Sequence, residues 1–203
     1  MISKIISVVT LASLCCFSTA KADKGTFSYS YVEAGIADFV DDADGVTFLV
    51  GGSYNFAKNF NFLADFSTTN IDGFDVNGFD IGTDSNSLSI GLGFHIPINQ
   101  RADFTASLKY LRLSTALSTG FGFVSQELDD ANGYEAEVGV RFKATDKLEL
   151  NAGLEYFDVE DESDTFVNLG VRFYFNDRFS AAVSYRSGDD NTDGVAGTVR
   201  YEF

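Results

Sequence analysis

The stretch 133–142, GYEAEVGVRF, alternates two kinds of side chain without interruption. Its even positions are apolar: Tyr134, Ala136, Val138, Val140 and Phe142. Its odd positions are small or ionic: Gly133, Glu135, Glu137, Gly139 and Arg141. Successive side chains of a β-strand point to opposite faces, so a period of two predicts a strand with one apolar and one polar face.

The same alternation recurs along almost the whole chain after residue 25, and no helical periodicity of useful length interrupts it. The predicted strands are 26–37, 46–56, 60–69, 86–97, 101–113, 133–142, 147–157, 166–175, 178–187 and 194–203. A transmembrane β-strand needs about 9–11 residues, and these segments match that length. The pattern predicts an all-β fold, a transmembrane antiparallel up-and-down β-barrel of ten strands. In the first segment Phe27 and Val32 suggest different phases, which favours a bulge there.

Aromatic residues on the apolar face gather at the two ends of the predicted strands. Those near one rim are Tyr54, Phe56, Phe60, Phe62, Phe94, Phe142, Phe173, Phe175, Phe179, Tyr201 and Phe203; those near the other are Phe66, Tyr110, Tyr134, Tyr156 and Tyr185. Alternation alone does not say which face points inward. Two aromatic girdles favour a barrel whose apolar face contacts lipid.

The predicted connections alternate between short turns and long loops, and charge divides between them. The regions 38–45, 70–85, 114–132, 158–165 and 187–193 contain 19 acidic residues and no Lys or Arg. Lysines and arginines gather at the short turns. Short turns on one side and long loops on the other are typical of bacterial outer-membrane barrels.

The first 22 residues have the pattern of a cleaved signal peptide. Lys4 precedes an apolar run, and Ala20-Lys21-Ala22 supplies the small residues of a cleavage site. Cleavage is expected after Ala22, with Ala20 as the alternative, which leaves 23–203 as the barrel domain. The net charge of −16 argues against a nucleic-acid partner.

Together with this leader and the even strand count, the last residues, VAGTVRYEF (195–203), carry a resemblance to a known class. From about residue 25 onward the chain resembles the small outer-membrane β-barrels of Gram-negative bacteria, the broad OmpA, OmpX and opacity-protein class. The resemblance implies a location in the cell outer membrane. It also implies that Val199, Tyr201 and Phe203 form the signal read by the barrel-assembly machinery. Members most often have eight strands, so eight is the alternative to ten.

The polar faces of the predicted strands would line the lumen. The charged residues placed there are Asp65, Asp103, Lys109, Glu135, Glu137, Arg141, Glu149, Glu155, Arg172, Arg186, Arg200 and Glu202, with Glu33 as a further candidate. Buried charges must pair or remain hydrated. Two interpretations remain open: a salt-bridge network that packs the lumen, or a narrow channel that prefers cations because acids outnumber bases.

His95 is the only histidine, which bears on whether the barrel is an enzyme. Outer-membrane hydrolases need a histidine or another base near the outer leaflet or the outer mouth. Strand parity instead places His95 at the periplasmic end, just before Pro97. We therefore expect a structural histidine, no catalytic residues and no cofactor, with a hydrolase as the remote alternative.

The acidic loops offer a weak candidate for a metal site. Asp189, Asn191 and Asp193 have the spacing of the first half of an EF-hand loop, but the position of the bidentate Glu is Arg200. The simpler interpretation is a solvated acidic hairpin. Divalent cations bridging the loops to lipopolysaccharide phosphates need no defined site.

The two longest predicted loops contain aromatic residues suited to contacts with a partner. They are Phe74, Phe79, Phe121 and Phe123, which either bind an extracellular ligand or belong to strands extended above the membrane. The leading prediction is a non-catalytic barrel with a structural or adhesin-like surface-binding role through long acidic loops. The narrow channel is its main alternative.

Overall fold

A computed structural model describes residues 27–39, 45–76, 79–119, 126–160, 162–188 and 193–203. They form ten antiparallel strands that close into one barrel, with each strand paired to its neighbours in sequence and the first paired to the last. The strands are β1 (Tyr31–Phe39), β2 (Gly45–Ala57), β3 (Phe60–Val76), β4 (Phe79–Asn99), β5 (Ala102–Thr119), β6 (Gln126–Lys143), β7 (Leu148–Val159), β8 (Glu162–Tyr174), β9 (Phe179–Ser187) and β10 (Gly194–Glu202). The predicted fold class and the count of ten are confirmed.

The barrel has its apolar face outside and its polar face inside. Large hydrophobic side chains from every strand are exposed, among them Ile90 at 55% and Val138 at 47%. The buried set includes charged side chains such as Glu149, which is 1% exposed. A soluble barrel would bury the apolar face, so this arrangement requires lipid around the barrel. In the part of the chain that the structure covers, no helix has the length and hydropathy to cross a membrane.

β1 starts later than the sequence pattern predicted, at Tyr31 instead of residue 26. Its pairing with β2 and β10 is regular, so the expected bulge is absent from the described strand. The apparent change of phase arises because residues 27–30 leave the ladder and turn into the barrel. Val32 and Ile36 belong to the lipid face, whereas Phe27 and Tyr29 are buried.

Four consecutive strands are much longer than the rest. β3 to β6 have 17, 21, 18 and 18 residues, whereas the other six have 9 to 13. Pairing of β3 with β2 ends at Gly45↔Ile71, and pairing of β6 with β7 ends at Gly133↔Val159. Beyond those pairs β3 to β6 continue as a sheet of their own, which we call the raised wall.

The raised wall corrects the prediction of two long loops at 70–85 and 114–132. Pairs continue up to Val76↔Phe79 between β3 and β4, and up to Ile81↔Thr119 between β4 and β5. Phe74 and Phe79 therefore lie in paired strands and not in loops, whereas Phe121 and Phe123 lie outside the described residues. Asn77-Gly78, between the two strands, is the dipeptide that most favours a two-residue hairpin, and acidic and apolar residues alternate on either side of it.

Candidate functional site

The interior of the barrel contains most of the charged residues that the sequence assigned to it. Ten of the twelve charged residues predicted for the lumen line one cavity of about 510 Å³: Asp65, Lys109, Glu135, Glu137, Arg141, Glu149, Glu155, Arg172, Arg186 and Arg200. Glu33 lines it as well, and Asp103 and Glu202 are buried nearby, at 5% and 8% exposure. The lumen is therefore neither fully packed nor uniformly open.

At the short-turn end of the lumen, Arg141 and Glu149 form a bidentate ion pair. The guanidinium Nε and Nη2 donate to the two carboxylate oxygens of Glu149 at 2.7 and 3.0 Å. The Tyr174 hydroxyl donates to the same carboxylate at 2.6 Å. Three strands supply these groups, so the cluster ties β6, β7 and β8 together across the interior.

Residues 27–30, which precede β1, occupy the same end of the lumen; we call them the N-terminal plug. Arg141 Nη1 donates to the Ser28 carbonyl at 3.2 Å, and its guanidinium lies 4.6 Å from the centre of the Phe27 ring. Ser53 Oγ donates to the Tyr29 carbonyl at 2.7 Å. Phe27 and Tyr29 are 6% and 8% exposed, so the plug fills this end of the barrel.

His95 packs directly against the plug. Its ring stacks on the Tyr29 ring with a centroid distance of 3.6 Å and an interplanar angle of 9°. The Tyr29 hydroxyl donates to Asp103 at 2.9 Å. His95 is thus a buried packing residue at the short-turn end. Ser89, a serine on the same face of β4, donates to Asp65 at 3.5 Å and not to His95.

Also in the short-turn half of the lumen, Glu33 bridges two arginines from distant parts of the chain. Arg172 Nη2 and Arg200 Nε donate to the same carboxylate oxygen at 2.5 and 2.7 Å. Arg200 also lies 3.6 Å from the centre of the Tyr31 ring. This bridge connects β1, β8 and β10, and therefore reinforces the seam where the barrel closes.

Nearer the loop end, two further groups of ion pairs line the cavity. Lys109 Nζ lies 3.0 Å from Asp65 and 2.6 Å from Glu135. Arg186 Nη2 lies 2.8 Å from Glu155. The side chain of Asp65 is 43% exposed, so solvent reaches the cavity from this end.

The cavity has one charged wall and one wall of small side chains. β5 to β8 contribute seven of the eleven charged side chains that line the cavity, whereas β9, β10 and β1 contribute most of the small residues beside one charged residue each, Arg186, Arg200 and Glu33. The small wall consists of Ala182, Ser184, Ala196, Thr198 and Ala37. Because small side chains face charged ones, the interior of a ten-stranded barrel is not filled.

The profile of the family described as outer membrane protein beta-barrel domain matches residues 9–172. This chain belongs to that family. Membership places the protein in the outer membrane, and the short-turn end with both described termini corresponds to the periplasmic side. The predicted signal peptide, 1–22, lies outside the described residues and stays a prediction.

Three solved structures illustrate what this outer-membrane barrel is similar to. The KdgM porin in complex with disordered oligogalacturonate is 12% identical, with a TM-score of 0.49 over 85% of this chain and 99% of that one. Ail, the attachment invasion locus protein of Yersinia pestis, is 16% identical, with a TM-score of 0.41 over 86% and 99%. Neisserial surface protein A is 14% identical, with a TM-score of 0.44 over 87% and 98%. Among curated proteins, none matches the sequence.

The outer rim of the barrel carries tyrosines that donate hydrogen bonds to aspartates at or near the ends of strands. Tyr134 and Tyr156 donate to Asp158 at 3.2 and 3.0 Å, and Tyr185 donates to Asp193 at 2.8 Å. Hydrogen bonds from Ser187 and Tyr185 lower the pKa of Asp193, so that carboxylate remains charged at the surface. The described residues contain no group of three or more ligands suited to a metal ion. The other two candidates for the calcium site, Asp189 and Asn191, lie outside the described part of the chain.

The predicted assembly signal lies on β10 and just beyond it, at the periplasmic rim. Val199 and Phe203 are exposed, and the Tyr201 ring lies 5.0 Å from that of Phe179 and 6.5 Å from that of Phe203. The three side chains therefore form an apolar stripe at the end of the closing strand. Recognition of this stripe by the barrel-assembly machinery stays a prediction.

Deleting Phe203 is expected to lower the amount of barrel in the outer membrane several-fold, because the terminal aromatic is the predicted signal for insertion. Immunoblots of outer-membrane fractions measure the effect. Phe175→Ala is the matched control, since Phe175 is an equally exposed aromatic at the same rim. An equal loss in both variants would assign the effect to general rim hydrophobicity and contradict the terminal signal.

Proposed function

We propose that the protein is a non-catalytic surface-binding barrel and that the raised wall is its contact surface. The observation that carries this proposal is the inequality of strand length. β4 exceeds β8 by eight residues, which corresponds to roughly 25 Å of strand. Spanning the membrane does not require this extra length, because the six shorter strands cross with 9 to 13 residues.

The wall has the form expected of a binding surface. Its strands are hydrogen-bonded to one another, so the backbone is ordered before a partner arrives, which reduces the entropy lost on binding. In sequence the tip between β3 and β4 carries Asp72, Asp75, Asp80 and Asp84 without a basic residue. An acidic surface favours partners with basic surfaces and repels anionic ones unless divalent cations intervene.

Trimming the wall tests the proposal while keeping the barrel. Thr69 pairs with Ser85 and Ser114 pairs with Asp130. Each hairpin is shortened by replacing 70–84 or 115–129 with Asn-Gly, which leaves those pairs next to a two-residue turn. Bacteria displaying each variant are measured for adherence to surfaces coated with a panel of matrix proteins. The barrel-deleted strain gives the background.

We expect both trimmed variants to lose most of the adherence, about tenfold or more, with unchanged heat-modifiable gel mobility. A full-length variant with the four tip aspartates replaced by asparagine keeps the shape of the wall and removes its charge. If this variant binds as well as the parent, shape and apolar contacts drive the binding. Adherence that persists in both trimmed variants would show that the wall is not the contact surface.

A further inference from the structure

The strongest unexplained feature of the lumen is one acid without a partner. The cavity is lined by five basic and six acidic side chains. Each base forms an ion pair, and five of the acids are taken up by these pairs. Of the six acids that line the cavity, Glu137 is the one for which the described residues provide no ion pair or hydrogen bond.

The surroundings of Glu137 increase the local negative charge. Glu155 lies directly opposite it on β7, and Glu135 lies two residues away on the same face of β6. Like charges directly opposite each other in a sheet are destabilising. Glu155 is paired with Arg186, and Glu135 shares Lys109 with Asp65, so an ionised Glu137 leaves the cavity with one uncompensated negative charge. A mobile cation in the cavity compensates that charge without a protein partner.

Access to this position differs between the two ends of the barrel. On the outer side Asp65 and Arg186 line the cavity with side chains 43% and 33% exposed. On the periplasmic side Glu149 is 1% exposed, and its partner Arg141 lies against the rings of Phe27 and Tyr29 of the plug. The cavity volume corresponds to roughly 15–20 water molecules, which is enough for a hydrated monovalent cation.

The plug is held by contacts that can separate without opening the barrel. β1 begins at Tyr31, directly after the plug. The last backbone hydrogen bond before residues 27–29 runs from the Phe203 amide to the Ser30 carbonyl at 3.1 Å. The remaining contacts of residues 27–29 are made with side chains of the barrel: Arg141, Asp103, His95, Ser53 and Lys143. Withdrawal of residues 27–29 therefore breaks no strand pair.

We infer that the lumen is a conduction path for small monovalent cations, in which Glu137 sets the charge preference and the N-terminal plug closes the periplasmic end. This function is separate from surface binding, because it uses the opposite end of the molecule and none of the raised wall. In the closed state a cation from outside reaches Glu137 and stops at Phe27 and Tyr29. When the plug withdraws, the cavity joins the periplasm.

Planar-bilayer recordings in KCl test the plug. We expect the parent protein to be closed most of the time and Phe27→Ala/Tyr29→Ala to conduct at least tenfold longer at the same voltage. The matched control is Phe60→Ala/Tyr54→Ala, which removes the same two ring types from the lipid side of the same rim. Phe27→Ala alone is the milder variant if the double variant folds poorly. Folding is checked by heat-modifiable mobility. A silent lumen in folded plug variants, or equal opening in the control, overturns the inference.

Reversal potentials across a KCl gradient test Glu137 in the plug-loosened background. Glu137→Gln is expected to lower the ratio of potassium to chloride permeability several-fold. Glu162→Gln, an exposed acid at the start of β8, is the charge-matched control and should leave the ratio unchanged. An unchanged ratio in Glu137→Gln overturns the assignment of this residue, and an equal fall in both variants attributes selectivity to net charge.

Discussion

Replacing Arg141 with leucine is expected to lower the free energy of unfolding by about 3–5 kcal/mol, because a buried carboxylate then loses its cation. Glu149 is the partner, with a side chain only 2% exposed. Its remaining donor is the Tyr174 hydroxyl, which does not neutralise the charge. The loss is measured by urea titration of the barrel in lipid vesicles, with the folded fraction read from gel mobility.

Two further variants separate the buried charge from the loss of packing. Arg141→Leu/Glu149→Leu removes both charges and should regain most of the lost stability, since a buried ion pair replaced by apolar groups is often neutral. Arg112→Ala breaks an ion pair with Asp130 whose side chains are 57% and 45% exposed, and should cost at most about 1 kcal/mol. A double variant no more stable than Arg141→Leu would contradict the electrostatic explanation.

The alternation of residue types predicted the fold because each residue's face follows from its position alone. Parity along β6 placed Glu135, Glu137 and Arg141 inside and Val138 outside, and the structure places them there. No long-range information is needed for such an assignment, because a shift of one residue would bring every charged side chain into lipid.

Contacts across the lumen depend on information that the pattern does not contain. The Glu33–Arg172 pair joins residues 139 apart in sequence, and their approach depends on the radius of the closed barrel. The unpaired state of Glu137 likewise emerges only when the other ten charged side chains that line the cavity have been paired. Sequence alternation supplied the set of lumen charges but not their pairing.

The N-terminal plug was missed because Phe27 and Tyr29 keep the two-residue spacing of a strand, although they are out of phase with Val32. Tyr31 pairs with Glu202, and β10 ends at that residue, so the preceding residues have almost no closing strand beside them. Residues 27–30 therefore leave the ladder, and Phe27 and Tyr29 are buried against Arg141. The sequence feature that indicates the plug is the change of phase between Tyr29 and Val32, and the same feature also predicts a bulge.

The raised wall was missed for a different reason. Gly, Asn and Asp are typical of loops, and the segment 70–85 is rich in all three. Its alternation of acidic and apolar residues around Asn77-Gly78 also matches a hairpin. The composition predicts a loop and the period predicts a hairpin, and the observed pairs Phe74↔Ile81 and Val76↔Phe79 show that the period decides.

Placing an arginine on the outer face of β6 is expected to destabilise the barrel, which tests its inside-out arrangement most directly. Val138 lies midway between Tyr134 at the outer rim and Phe142 at the periplasmic rim, so its side chain meets the middle of the bilayer. Val138→Arg should cost about 2–4 kcal/mol in vesicles, because the charge cannot reach water from that depth without deforming the membrane.

The control introduces the same residue at the same height on the inner face. Ser107 lines the cavity and pairs directly with Glu137. Ser107→Arg therefore supplies the cation that Glu137 lacks, and should change the unfolding free energy by less than about 1 kcal/mol or raise it. Equal destabilisation by both variants would mean that overpacking and not lipid contact determines the cost. A cost confined to Val138→Arg would show that the even positions of GYEAEVGVRF face lipid. The two arginines lie on adjacent strands at the same height, and one faces the bilayer whereas the other faces the lumen.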